Sequence, residues 1–287
     1  MNTQVIPESL LPGVNVLLEG PAGTGKTHAI GTLVDAGVET FALFTESGME
    51  TLTGYWTDKG KPVPDNLHWN LLKRKTAGFN VLIEGAEKVN TSSYEALAKM
   101  SDSKRMEHNE FLTLLRVLSN FHDDRTGKDF GAVDSWGPDR AIVIDSLTGM
   151  NSIVMSLVVG NKPMKSMADW GLAQDQLEKL LRQLTDGCKC HFILIAHVER
   201  EVDQILGGIK LTASTLGKAL APKIPPMFSD VILSVREGAK FTWSTANSQA
   251  DLKTRNLSIA DNLEPSFAPI ISKWKSRGGS FSPTVKA

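Results

Sequence analysis

A glycine-rich stretch near the start of the chain carries the residue types that bind the phosphates of a nucleotide. It comprises Gly20, Pro21, Ala22, Gly23, Thr24, Gly25, Lys26, Thr27 and His28. Glycines let the backbone come close to a phosphate, so that successive N–H groups point at its oxygens. Lys26 can reach the β- and γ-phosphates, and the Thr27 hydroxyl can ligate Mg²⁺. The spacing therefore predicts that this stretch binds a nucleoside triphosphate, taken as ATP, together with Mg²⁺.

Asp145 is the candidate for a second Mg²⁺ ligand. It directly follows the apolar run Ile142-Val143-Ile144, where a strand of a nucleotide-binding sheet ends in an acid. A carboxylate at this point can hold Mg²⁺ beside Thr27, directly or through water. Ser146, the next residue, could support Asp145 by a hydrogen bond.

Two further polar residues follow apolar runs and are candidates for roles in hydrolysis of the γ-phosphate. Hydrolysis needs a base or an orienting group for the attacking water, and Glu46 suits this role if its strand lies beside the strand of the glycine-rich loop. Glu50, one helical turn further on, is the competing carboxylate, and a helix-capping role is the structural alternative for Glu46. His197 could sense the γ-phosphate through a hydrogen bond or could simply close its strand.

The surrounding elements predict an α/β fold built on a mostly parallel sheet flanked by helices. The run Val14–Leu18 leads into the loop, and further apolar runs follow at 39–45, 141–144 and 192–196, with helical patterns between them. Continuous apolar strands alternating with helices indicate a parallel sheet covered on both faces, and such sheets bind ligands at the carboxyl ends of their strands. The segments 230–235 and 240–245 predict a C-terminal β-hairpin, and 251–257 a further strand.

Composition is consistent with one globular domain, assigned to residues 1–275, followed by a flexible tail at 276–287. The chain has 287 residues, of which 41% are hydrophobic, and its 31 Lys and Arg nearly balance its 32 Asp and Glu. Global charge therefore gives no drive toward nucleic acid. The first residues lack the pattern of a signal peptide and no apolar run reaches membrane-spanning length, so we expect a cytoplasmic protein with no membrane partner.

These motifs together resemble the RecA-type P-loop ATPase core. The order is a P-loop, an acid after the second strand, Ile-Asp-Ser at 144–146 and a polar residue ending the next strand. The stretch from Phe121 to Gly149 resembles phage-encoded RecA-like ATPases grouped with the Sak single-strand annealing proteins. The resemblance implies Mg²⁺-dependent ATP hydrolysis in a ring or filament of identical subunits, acting on single-stranded DNA inside a bacterial host. Such recombinases usually carry Gln where His197 stands.

The resemblance also suggests residues that act on a neighbouring subunit. Replicative helicases of the DnaB type place a Lys-x-Arg pair on a late strand that reaches the next subunit's nucleotide, and Lys253 and Arg255 are similar to that pair. Cations against the γ-phosphate stabilise the charge that develops during phosphoryl transfer. The alternative is an edge strand with two solvated basic residues.

In RecA-like assemblies the loops after the strand that ends in the Mg²⁺-binding acid, and after the next strand, face the central channel or filament axis. Here these are 147–167 and 198–226, and the second contains the candidate DNA-binding residues Lys210, Lys218 and Lys223. Each lysine can neutralise a phosphate, although a mobile solvent loop is the alternative. A different class of function also fits the near-neutral charge, namely an ATPase that loads or remodels a protein partner. A P-loop kinase is a third reading, but we find neither an arginine-rich lid nor an acceptor pocket.

Overall fold

The computed structural model describes residues 11–72, 78–101, 105–202 and 207–281. Its centre is a seven-stranded sheet with the order β3-β2-β4-β5-β1-β8-β9. The strands are β1 (Asn15–Glu19), β2 (Glu39–Phe44), β3 (Leu67–Leu71), β4 (Arg140–Asp145), β5 (His191–Ala196), β8 (Asp230–Glu237) and β9 (Lys240–Ser244). All neighbours pair in parallel except β8 and β9, which form an antiparallel hairpin.

Helices cover both faces of this sheet. The α-helices of the described residues are α1 (Lys26–Asp35), α2 (Met49–Thr57), α3 (Phe79–Thr91), α4 (Tyr94–Lys99), α5 (Glu110–Ser119), α6 (Leu147–Val159), α7 (Met167–Arg182) and α8 (Ala268–Ser276). Helices α3 and α4 bury no residue. Helices α1, α2 and α8 share one hydrophobic core with the sheet, and α5, α6 and α7 share the other. Successive strand residues such as Leu17 and Leu18 belong to opposite cores because side chains alternate between the faces of a strand. The predicted fold class is confirmed, including the C-terminal hairpin.

The segment after β4 differs from expectation. Residues 147–167 were expected to form a loop, but 147–159 form helix α6, which is buried along most of its length. Its sequence is apolar almost all round, as expected for a helix packed between neighbours rather than on the surface. Ser146 caps it by accepting a hydrogen bond from the Gly149 N–H at 3.4 Å.

Two further departures concern strands. The expected loop at 198–226 contains an antiparallel pair, β6 (Val198–Val202) and β7 (Ile209–Ala213), with 203–206 outside the described residues. The segment 251–257 is not a strand, since it makes isolated bridges only, such as that between Lys253 and Val231. Side-chain hydrogen bonds described below hold it in an irregular path instead.

The end of the chain is described as far as residue 281. Within the segment 276–287, Phe281 stacks on Trp274 of α8, with ring centroids 5.7 Å apart. Among the described residues, no helix has the length and apolar character needed to cross a membrane.

Candidate nucleotide site

The glycine-rich loop links the end of β1 to the start of α1, and three of its backbone positions require glycine. Gly20, Gly23 and Gly25 have φ angles of 157°, 73° and 84°. A Cβ at Gly20 would lie 2.4 Å from the Ser234 carbonyl oxygen. Because L side chains rarely adopt positive φ angles, these positions give the loop its tight path into the helix N-terminus.

Lys26 lies across the mouth of this loop. Its Nζ donates hydrogen bonds to the carbonyl oxygens of Gly20 and Pro21, at 2.8 and 2.7 Å. Burial lowers the pKa of Lys26 to about 8, although the nearby Asp145 and Glu46 carboxylates act in the opposite direction. The ammonium is therefore held at the position where the loop would receive phosphate oxygens.

The remaining predicted loop residues belong to the same turn. Ala22 is exposed, and the Thr24 hydroxyl donates to the Pro21 carbonyl at 2.9 Å. His28 lies in the first turn of α1 with its ring edge against Tyr55, at a centroid distance of 4.9 Å. Burial is the main cause that lowers the pKa of His28, so its imidazole favours the neutral form.

Thr27 and Asp145 form a pair that fits a magnesium ion. The Thr27 hydroxyl donates to Asp145 Oδ2 at 2.6 Å, which joins the start of α1 to the end of β4. Burial raises the pKa of Asp145 to about 6, against the opposing effects of Thr27 and Lys26. A hydroxyl beside a carboxylate is the oxygen donor set that Mg²⁺ prefers. When bound, the ion would neutralise charge on the phosphate oxygens.

Glu46 lies next to this pair and is held by Ser146. The Ser146 hydroxyl donates to Glu46 Oε2 at 2.7 Å, and His197 Nε2 is 3.9 Å from the same oxygen. The Ser146 backbone N–H donates to the Thr45 hydroxyl at 2.9 Å, which ties the ends of β2 and β4 together. Ser146 was expected to support Asp145, but its hydroxyl orients Glu46 instead.

The position in the sheet of the strand that carries Glu46 also differs from expectation. Its strand β2 does not lie beside β1, because β4 and β5 lie between them. The negative charge of Glu46 nevertheless acts to raise the pKa of both Lys26 and Asp145. Glu46 and Glu50 both line a cavity of about 490 Å³ at the ends of β2 and β3. Glu50 is exposed in the first turn of α2.

His197 follows β5 directly, on the strand next to the P-loop strand. Burial and the neighbouring Lys26 ammonium lower its pKa, and Glu46 raises it to a smaller extent. A neutral imidazole with one N–H can donate to a phosphate oxygen without adding charge. The structure therefore brings Lys26, Thr27, Glu46, Asp145 and His197 together at one edge of the sheet.

Lys253 and Arg255 lie at the opposite edge. The carboxylate of Asp230, the first residue of β8, accepts hydrogen bonds from the backbone N–H groups of Arg255 and Asn256 and from the Thr254 hydroxyl, at 2.8–2.9 Å. Asp230 pairs with the start of β1, whereas the P-loop follows its end. The exposed Arg255 side chain therefore does not reach the P-loop of its own chain.

The three candidate DNA-binding lysines are paired with carboxylates. Their ammonium groups lie 2.8–3.6 Å from carboxylate oxygens, in the pairs Lys210–Asp251, Lys218–Glu201 and Lys223–Glu178. Nucleic-acid phosphates would have to compete with these partners for the lysines.

Two residues near the P-loop were not anticipated from the sequence. Arg236 and Phe241 are opposite each other in the β8–β9 hairpin, and both approach loop glycines. The pattern of alternating residues predicted the hairpin, but not the strand beside which it would pair. Its position follows from the parallel pairing of β8 with β1.

Comparison with known proteins identifies the family of this chain. A family model described as "AAA domain" matches residues 13–258. The flagellar accessory protein FlaH from Methanocaldococcus jannaschii is similar at 11% identity over 95% of this chain and 84% of that chain, with a TM-score of 0.32. A search of curated proteins returns no match. The resemblance to P-loop ATPases is confirmed, and the chain belongs to the AAA domain family of nucleotide-binding proteins.

Proposed function

We propose that this protein hydrolyses ATP to ADP and phosphate with Mg²⁺. The observation that carries the proposal is a pair of hydrogen bonds, Thr27 to Asp145 and Ser146 to Glu46, which the consecutive residues Asp145 and Ser146 connect beside the Lys26 ammonium. These residues place a cation, a pair of metal-binding oxygens and an oriented carboxylate at one strand edge. Phosphoryl transfer depends mainly on such positioning and charge stabilisation.

In the proposed reaction Glu46 receives a proton from the attacking water. The water oxygen forms a bond to the γ-phosphorus while the bond between that phosphorus and the β–γ bridging oxygen breaks, which leaves ADP and phosphate. Lys26 stabilises the negative charge on the transferred group, and Thr27 and Asp145 would hold the metal ion. Ser146 fixes the carboxylate of Glu46 toward the site by its hydrogen bond.

We further propose that the active form is a homo-oligomer, either a ring or a filament. Arg255 is exposed, and within the described part of the chain its guanidinium has no hydrogen-bond acceptor. The Arg277 side chain donates to the Arg255 carbonyl at 2.7 Å, so the backbone that presents Arg255 is anchored. An anchored, exposed arginine far from its own P-loop suits delivery to the nucleotide of a neighbouring subunit.

Single-stranded DNA is the proposed substrate of the assembly, in phage recombination, annealing or replication of the Sak type. The support is the β6–β7 hairpin, which directly follows His197 and carries Lys210, with Lys218 beyond it. A hairpin attached to a γ-phosphate-facing residue is suitably placed to couple hydrolysis to a ligand. The ion pairs of these lysines favour the second candidate, an ATPase that acts on a protein partner without touching DNA.

ATP turnover with and without single-stranded DNA, at two salt concentrations, separates the two candidates. We expect DNA to raise turnover at low salt and to lose this effect at high salt, because phosphate contacts release counterions. Lys210→Ala should weaken binding, whereas Asp251→Asn, which frees Lys210, should strengthen it. Unchanged turnover and no DNA binding at low salt would favour the protein-partner function.

A further inference from the structure

The side of the sheet on which the reactive groups lie determines where the rest of a nucleotide extends. Glu46, Asp145 and His197 lie at the carboxyl ends of β2, β4 and β5, which all lie on the same side of the P-loop strand β1. A triphosphate whose γ-phosphate faces these groups directs its nucleoside to the other side. There the next elements are β8 and β9, whose connecting turn lies at the same sheet edge as the P-loop, because β8 runs parallel to β1.

Phe241 of β9 presents an aromatic ring at this place. It is 41% exposed, whereas the next two residues, Thr242 and Trp243, are buried. Its Cδ1 lies 3.2 Å from the position that a Cβ at Gly25 would occupy, so the ring rests against the P-loop backbone. A partly exposed aromatic side chain of this kind can serve as a platform for another planar group.

Arg236 adds a positive charge beside this ring. Its guanidinium carbon is 5.3 Å from the Phe241 ring centroid, and its Nε donates to the Gly238 carbonyl at 2.8 Å. Its Nη1 is 3.8 Å from the position of a Cβ at Gly23. The β8–β9 hairpin thus places an aromatic ring and a cation together beside the P-loop, on the side of β1 opposite to Glu46 and Asp145.

We propose that Phe241 is the stacking platform for the base of the bound nucleoside triphosphate, with Arg236 beside it attracting the phosphates. This inference rests on the proposed ATPase function. Every nucleobase offers a π-face, so recognition by stacking tolerates different bases. The subsite therefore takes nucleoside triphosphates as a class, with purines favoured over pyrimidines because they cover more of the ring.

Titration calorimetry with ATP and with inorganic tripolyphosphate, both with Mg²⁺, tests the subsite. Phe241→Ala should weaken ATP binding about tenfold, a typical loss for one stacked base, and leave tripolyphosphate binding unchanged. Phe241→Leu keeps an apolar side chain against Gly25 but removes the π-face, so it should behave like the alanine variant. Phe241→Trp should restore ATP binding. Phe79→Ala, which removes an exposed ring on α3, is the matched control and should have no effect.

The outcomes distinguish the subsite from the function on which it rests. If the wild-type protein binds neither ligand, both proposals are wrong. If it binds ATP and Phe241→Ala binds ATP equally well, the subsite alone is wrong. An equal weakening of ATP and tripolyphosphate, or normal ATP binding by Phe241→Leu, would show that Phe241 only supports the P-loop backbone.

Discussion

Lys26 donates to two carbonyls of its own loop, and the Asp145 and Glu46 carboxylates lie close enough to favour its charged form. Replacing it would remove the cation that is proposed to meet the γ-phosphate. We expect Lys26→Ala to abolish ATP hydrolysis, and Asp145→Asn to do the same by weakening Mg²⁺ binding. Steady-state phosphate release measures both. Lys179→Ala, which removes an exposed lysine of α7, is the control and should keep full activity. Near-normal turnover in either site variant would contradict the assigned roles.

The contacts of individual residues also indicate whether Glu46 or Glu50 activates the attacking water. Glu46 is oriented by Ser146, whereas Glu50 lies exposed in the first turn of α2. Glu46→Gln should retain ATP binding and slow hydrolysis by about a hundredfold or more, because only the activation of water is removed. Glu50→Gln should hydrolyse ATP at close to the normal rate. The reverse pattern in single-turnover assays would make Glu50 the base.

At the scale of elements, the strands follow from local sequence pattern, whereas their order in the sheet does not. The core strands could be predicted because apolar runs buried on both faces have a clear sequence pattern. Their order could not, since the pairing of β2 with β4 rather than β1 depends on contacts distant in sequence. Helix α6 was expected to be a loop because a helix buried all round lacks the polar face by which helices are recognised. The strand-end residues were predictable, but the partner of Ser146 was not.

Strand β1 ends in a buried acid whose ionisation should be visible in protein stability. Burial, and secondarily Asp251, raise the pKa of Glu19 from 4.5 to about 8. Glu19 lines a cavity of about 210 Å³ that also contains Glu201, Lys210 and Lys218. The folded chain therefore holds a proton that the unfolded chain releases above pH 4.5, so stability decreases as pH rises from about 4.5 to about 8.

Glu19→Gln should remove this decrease in stability at high pH. We expect the variant to exceed the wild-type free energy of unfolding by on the order of 5 kcal/mol at pH 9, with little difference near pH 4.5. Urea unfolding across this pH range measures the effect. Glu201→Gln is the control, because this carboxylate lines the same cavity but is paired with Lys218 and is partly exposed. A pH-independent difference for Glu19→Gln would mean that Glu19 is ionised in the folded protein.

At the scale of the whole molecule, the test concerns subunits that complement one another. Arg255→Ala should bind ATP almost normally but hydrolyse it about a thousandfold more slowly, if the arginine acts on a neighbour. Mixing it with Lys26→Ala should restore part of the activity, since some interfaces would pair an intact P-loop with an intact arginine. The recovery should rise with protein concentration, as assembly does.

A matched pair controls this experiment. Asp145→Asn and Lys26→Ala both damage the P-loop side of an interface, so their mixture should remain inactive at every ratio. If Arg255→Ala mixed with Lys26→Ala is equally inactive in subunits shown to exchange, then Lys253 and Arg255 are structural.

Strand β8 connects the segment that carries Arg255 to the P-loop. Its first residue, Asp230, holds the segment that presents Arg255, and Arg236 near its other end lies beside the P-loop. An extended strand rises about 3.3 Å per residue, so the six residue steps from Asp230 to Arg236 cover roughly 20 Å. β8 is paired with β1 on one side and with β9 on the other, so it holds these two sites at a fixed separation. In the proposed oligomer, this strand would connect the nucleotide bound by one subunit to the arginine offered to the next.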